Sequence, residues 1–284
     1  MAIEEVKTRS RRFIQCDVFS PVPVKGNGLA VVLDGDGLSH DQMQAFAAWT
    51  NLAETTFVQS PTSAEADYRL KIFTPTREML FAGHPTLGSC AAWLHAGGKP
   101  KDMDRVKQEC GIGIVDIDLN GTVPAFAAPA TLAEDMSAGK FAAISSALNL
   151  SEDKIVASAQ LTNGPVWQVF ELDSAAEVLA ADAAKIKYPE FSGVGLIGAH
   201  PPGGECQYEV RMLGASGMNE DPITGSLNAA IARWKYDTGK WNEPVKVAQG
   251  TKIGRHGRVF LHQGDGEVWV GGQTHILIEG YLEL

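Results

Sequence analysis

Polar and apolar side chains alternate in two segments of the chain, Tyr68-Arg69-Leu70-Lys71-Ile72-Phe73 and Tyr208-Glu209-Val210-Arg211-Met212-Leu213. A period of two places every second side chain on one face, so both are read as half-buried strands. A different rhythm runs through residues 39–50, where Met43, Phe46 and Ala47 recur at helical spacing and Ser39 stands in position to cap the first turn. Residues 86–96 are small and apolar almost throughout and end at Gly97-Gly98, which predicts a buried helix and its stop. A counterpart is expected over 224–236. Further strands are expected at 13–19 and 29–33, joined by a Pro/Gly loop, and from 56 onward. Strands are also expected at 111–119, 258–261, 268–271 and 274–278. Asn120-Gly121 is a turn signal.

The two alternating segments belong to a wider repetition. His84-Pro85-Thr86-Leu87-Gly88-Ser89 is echoed by Asp221-Pro222-Ile223-Thr224-Gly225-Ser226. Val106-x-Gln108 followed by Ile112-Gly113 is echoed by Val247-x-Gln249 followed by Ile253-Gly254. The echoes occur in one order, each about 140 residues from its partner, which points to an internal duplication. The expected division is 1–124 and 125–275, with the closing strand at 276–284 returning to the first half.

At 284 residues the chain has the length for two domains, and its 44% hydrophobic content is enough for each half to bury a core. The net charge of −10 gives no basic face for nucleic acid, and Arg9, Arg11 and Arg12 are read as a flexible basic arm. The N-terminal residues lack the apolar core of a signal peptide, and no segment approaches the length of a membrane span. Cys16, Cys90, Cys110 and Cys206 are widely spaced, as expected for unpaired thiols in a reducing cytoplasm.

No phosphate loop, dinucleotide fingerprint, paired-histidine metal motif or hydrolase elbow occurs. What remains is the duplicated Pro-x-x-Gly-Ser. If each copy begins a helix, its backbone amides present partial positive charge to an anion such as a carboxylate. Each can equally be a plain cap. The residues preceding the two copies differ, His84 in one and Asp221 in the other, which fits an asymmetric ligand. Glu220 reads as a solvated carboxylate. Glu54 falls between an expected helix and strand, where apolar neighbours would raise its pKa, but nothing in the residues alone sets it apart from a surface glutamate.

Four segments together resemble the phenazine-biosynthesis (PhzF-like) family, whose relatives include diaminopimelate epimerase and proline racemase. They are Asp17-Val18-Phe19 with 26–32; Asn51 to Phe57; Phe73-Thr74-Pro75 with 81–88; and 219–226. Gln249-Gly250 and Gly254-Arg255 follow in the expected order. The resemblance spans about 13 to 284. It implies an α+β fold of two similar halves, each a curved, mostly antiparallel sheet or barrel around a central helix, with a cleft between them. It implies no cofactor. The catalytic glutamate falls on Glu54, with His84 and Asp221 as polar partners; Gly83, Gly225 and Ser226 are further site residues, and the paired motif adds Gly88 and Ser89 as substrate contacts.

Gly28 stands where the family often has Pro, Ala53 where it has Ser, and Leu227 where Ala is common, so the substrate is open. The cysteine pair of the racemase relatives is absent: Pro85, Thr86, Pro222 and Ile223 occupy those helix starts, and Cys90 reads as packing. The expected function is a cofactor-independent isomerase that moves a proton within a small, carboxylate-bearing substrate by acid/base catalysis. The alternatives are a racemase or epimerase with two opposed bases and a non-catalytic binding protein. A homodimer is one option; nucleic-acid and membrane partners are not expected.

Overall fold

The computed structural model describes residues 8–187, 189–214 and 219–284. They form two units. The first comprises the chain up to Val18, Gly28–Ile117 and Thr274–Leu284; the second comprises Phe19–Asn27 and Asp118–Gln273. The chain thus changes unit after Ile117 rather than after Pro124, and a short early segment, 19–27, groups with the second unit.

In the first unit, β1 (Ser10–Val18), β2 (Asn27–Val32), β3 (Glu54–Gln59), β4 (Tyr68–Phe73), β5 (Glu78–Met79), β6 (Arg105–Cys110) and β7 (Gly113–Asp118) are joined by the last strand, β18 (Thr274–Glu283). β18 runs antiparallel to β1, as expected of a returning strand. β2 and β3 are parallel, β3 and β4 antiparallel. One edge of β4 is shared by the two-residue β5 and the parallel β6. Arg11 and Arg12 are therefore strand residues and not an arm, and Arg11 is buried, its guanidinium donating to the carbonyls of Leu284, Asp34 and Asp36.

Helix α1 (His40–Thr50) begins at Ser39, whose hydroxyl accepts from Gln42 N while the Gln42 side chain accepts from Ser39 N, a complete capping box. Helix α2 (Gly83–His95) is packed by β1, β3, β6 and β18, so the sheet curves around it. Its stop is the expected one: Gly97, at φ 93°, and Gly98 donate back to the carbonyls of Leu94 and Trp93. Its start is not: α2 begins at Gly83, three residues before Thr86.

The second unit contains β8 (Ala125–Ala127), β9 (Leu132–Glu134), α3 (Ala138–Leu148), β10 (Ile155–Thr162), β11 (Val166–Leu172), α4 (Ala175–Ala180) and β12 (Val194–Ala199). These are followed by β13 (Tyr208–Leu213), β14 (Glu220–Asp221), α5 (Gly225–Asp237), β15 (Val245–Gln249), β16 (Gly257–Gly264) and β17 (Glu267–Gly271). β11 and β12 are parallel and β12 and β13 antiparallel; β13 shares an edge between the two-residue β14 and the parallel β15. That is the arrangement of β2 to β6 again, with α4 in the place of α1 and α5 in the place of α2. β10, β16 and β17 pack on α5. A similar bond recurs from the matched glutamines, though to threonines that are not matched positions: Gln108 Nε2 donates to Thr86 Oγ1 at 3.1 Å, and Gln249 Nε2 to Thr224 Oγ1 at 3.0 Å.

The apolar positions close separate cores. Val32, Leu38, Met43, Ala47, Phe57 and Phe73 meet in the first unit; Ile144, Phe170, Val178, Leu196 and Leu213 do so in the second. Among the described residues no helix is long and apolar enough to cross a membrane.

Candidate active site

Glu54 is the first residue of β3, opposite Leu29 of β2. α1 ends at Asn51, which takes a left-handed conformation at φ 55° and turns the chain out of the helix and into the strand. The four residues after Glu54 are buried, so the strand is anchored immediately behind it. His84 is the second residue of α2 and is buried. Its Nε2 lies 3.3 Å from Glu54 Oε2, with side-chain exposures of 5% and 17%. Burial pushes the His84 imidazole down to about 3, so it is neutral near pH 7. A neutral ring presents at Nε2 either a proton or a lone pair, according to its tautomer. It can therefore donate to the Glu54 carboxylate or accept from the carboxylic acid without acquiring a buried charge.

The first-unit binding residues need correction. Because α2 begins at Gly83, Gly88 and Ser89 lie in its second turn, where an amide is committed to the helical ladder. Gly88 is a packing residue: a Cβ there would stand 2.6 Å from Leu29 Cδ2 and 2.9 Å from Val18 Cγ2. The Ser89 hydroxyl bonds that of Thr56 at 2.9 Å, fully buried. Pro85 has no N–H and Thr86 N donates to Ala82 O at 3.2 Å, so neither offers an amide to a ligand at this helix start.

In the second unit the expectation of a helix start holds. α5 begins at Gly225, and the first amide used by the helix is Asn228 N, donating to Thr224 O at 3.1 Å. The amides of Gly225, Ser226 and Leu227 precede it. Asp221 lies just upstream. Its carboxylate accepts from Asn27 Nδ2 at 3.2 Å and from the Thr224 hydroxyl. Burial pushes its pKa up to about 6 against the opposing pull of these hydrogen bonds, and the neighbouring Glu220 charge adds to the rise. Asn27 is itself held by a bond to Ile223 O at 2.9 Å. Gln249 ties the turn together: it accepts from Thr224 N and Asn228 Nδ2 and donates to Thr224 Oγ1 and Asp221 O.

Asn27, Thr224 and Gln249 are the site residues that composition and motif alone passed over. The signal for Gln249 was present, since it is one of the residues repeated in the duplication, as Gln108. Glu220 is not solvated: it is 5% exposed and bonded through both oxygens to Arg211. Cys16 and Cys90 are buried, and burial pushes both thiols up to about 12, so neither is a thiolate near neutrality. Among the described residues no group of three or more His, Cys, Asp or Glu is placed to hold a metal ion.

The family model described as phenazine biosynthesis-like protein matches residues 16–280. The chain is 34% identical to antisense-enhancing sequence 1 of Schizosaccharomyces pombe, over 94% of this chain and 97% of the relative. It is 31% identical to trans-2,3-dihydro-3-hydroxyanthranilate isomerase of Pseudomonas aeruginosa, over 95% and 98% respectively. A solved PhzF-family protein of Bacillus anthracis shares the fold with a TM-score of 0.80 at 20% identity, covering 96% of this chain and 99% of that one. The chain belongs to the phenazine biosynthesis-like protein family, several of whose members are isomerases.

Proposed function

We propose that this isomerase moves a proton between two carbons of a small, carboxylate-bearing substrate, with Glu54 as the base and no cofactor. The observation that carries the reading is the 3.3 Å contact between Glu54 Oε2 and a His84 ring kept neutral by burial. In the proposed step Glu54 takes a proton from an activated carbon as its C–H bond breaks. The electron pair moves into the adjoining unsaturated system, and a proton is returned to a different carbon. Protons and electrons balance, so the product is an isomer.

His84 is proposed to follow the protonation state of Glu54 by changing between donor and acceptor. Asp221 is proposed as the second proton-handling group: a carboxyl that titrates at about 6 is matched to acid–base work near neutrality. The first-turn amides of α5 at Gly225 and Ser226 are proposed to bind the substrate carboxylate, since helix N-termini favour anions. The substrate class follows the isomerase of Pseudomonas aeruginosa, whose name specifies a dihydro-hydroxyanthranilate, a cyclic carboxylic acid.

A two-thiol racemase is disfavoured by the high thiol pKa values of Cys16 and Cys90. The test is incubation of trans-2,3-dihydro-3-hydroxyanthranilate with the protein in deuterated water. Deuterium at a new carbon with a shifted double bond supports the isomerase. Inversion at one carbon points to an epimerase, and binding without exchange points to a binding protein.

A further inference from the structure

The duplicated fold carries a duplicated ion pair. In the first unit Lys71 on β4 meets Glu78 on β5 at 2.5 Å, each side chain about a quarter exposed. In the second unit the matching strands carry Arg211 on β13 and Glu220 on β14, and here the pair is closed from water, at 1% and 2% exposure. Arg211 Nε and one terminal nitrogen donate to the two Glu220 oxygens at 3.0 and 2.6 Å. The other terminal nitrogen donates to the carbonyls of Val178 and Ala181, at the C-terminal end of α4, at 3.0 and 2.6 Å. Four of the five N–H donors of the guanidinium are thus engaged.

Stability alone is a weak reason for such a pair, because well-packed apolar residues of similar volume usually serve as well. Its place in the fold is more informative. β14 is two residues long, Glu220 and Asp221, laid on Leu213 and Met212 of β13. A ladder that short holds little by itself. Successive side chains of a strand point to opposite faces. Fixing Glu220 on one face therefore fixes the direction of Asp221 on the other.

We propose that Arg211 and Glu220 form a positioning clamp that holds the Asp221 carboxyl in its seat between Asn27 and Thr224. The inference rests on the reading of Asp221 as a proton-handling group. The groups that meet Asp221 in that seat, Asn27, Thr224 and Gln249, are neutral, and among the described residues the charged group that acts on it is Glu220. A carboxyl kept in the seat stays largely withdrawn from water; one released from it regains hydration and titrates in the ordinary carboxylate range.

The test is Arg211→Met combined with Glu220→Leu, which replaces the pair by apolar groups instead of stranding one buried charge. The protein is labelled with ¹³C-carboxyl aspartate, and the Asp221 signal is identified by its loss in Asp221→Asn. The wild-type midpoint is expected at about 6. In the folded double variant it is expected to fall by roughly one unit or more, a tenfold change in proton affinity, and by clearly more than in Glu220→Gln, which removes the Glu220 charge but can still accept a bond from Arg211. An unchanged midpoint in a folded double variant, or a fall no larger than in Glu220→Gln, overturns the clamp. If the double variant does not fold, Arg211→Lys takes its place, since it keeps the charge and loses the fork. It should lower the midpoint by a fraction of a unit, and an unchanged value again overturns the proposal. The titration is read without substrate. An Asp221→Asn variant with wild-type turnover would therefore remove the catalytic reading of Asp221 and leave the clamp standing.

Discussion

His84 Nε2 lies 3.3 Å from Glu54 Oε2, and the two side chains reach this contact from elements about thirty residues apart in sequence, the start of β3 and the first turn of α2. If Glu54 is the base, Glu54→Gln keeps the shape of the side chain and removes its proton affinity. Turnover of trans-2,3-dihydro-3-hydroxyanthranilate is then expected to fall by about 10²–10⁴-fold, with substrate affinity within a few-fold of wild type. Turnover and deuterium incorporation measured on the same samples check this. Near-native turnover in the variant would sink the mechanism.

The neutral burial of His84 makes stability depend on acid. The unfolded histidine titrates near 6.5 and the folded one at about 3. Its folded pKa is lowered, so its contribution is fully present above pH 6.5 and is lost as pH falls toward 3. Over that window one proton taken up on unfolding costs about 1.4 kcal/mol per pH unit. His84→Asn cannot titrate, and its Tm should fall less steeply than that of wild type between pH 6.5 and 4.5. Equal slopes would show that folding does not lower the His84 pKa.

Asp221 has the opposite sign. Its folded pKa, about 6, is above the ordinary aspartate value, so its contribution is fully present below that value and is lost as pH rises through 6. Asp221→Asn should therefore be more stable than wild type at pH 8, on the order of 1 kcal/mol or roughly 2–4 °C in Tm. It should also lose the limb of the kcat/KM profile centred near pH 6. A variant less stable than wild type at pH 8 would show that the carboxylate is well solvated in its seat.

Gly88 tests the correction made to the first helix start. Gly88→Ala would press a methyl group against Leu29, Val18 and Cys16, at 2.6, 2.9 and 3.0 Å. Overpacking of this kind costs typically about 1–3 kcal/mol. Denaturant unfolding should show that loss. A variant with wild-type stability and a raised KM would instead restore Gly88 to substrate contact.

Val24 offers a stabilising change. It is exposed, and at φ 60° it occupies the left-handed region, where a β-branched side chain is strained. Asn tolerates that conformation, so Val24→Asn is expected to raise stability by about 1 kcal/mol, seen as a higher Tm. A lower Tm would show that the valine side chain is held by packing that outweighs the strain.

Features written in local pattern were legible from the amino-acid sequence alone. The capping box of α1 lies within four residues, Ser39 to Gln42. The alternation in β4 reports one buried face, and Gly97-Gly98 stops α2 by backbone chemistry that needs no partner; in β13 the same alternation misled, because Glu209 and Arg211 are buried along with Val210 and Leu213. The duplication was legible because both copies obey the same constraints, down to Gln108 and Gln249. Between 126 and 207 no such pattern stood out, and α3, α4 and β9 to β12 came only with the structure.

Tertiary structure decided what depends on partners distant in the chain. α2 starts at Gly83, where its first turn is enclosed by packing, and the methyl side chain of Ala82 cannot make the capping bond that would announce a start. That shift of three residues moved Gly88 and Ser89 from a helix end to a helix interior. Asn27 meets Asp221 across 194 residues, and Arg211 turns Glu220 from an apparent surface charge into half of a buried pair. Residue type and spacing set the periodicity of an element and so its buried face. Burial, hydrogen-bond partners and pKa depend on which surfaces the fold brings together, and local spacing carries no record of that.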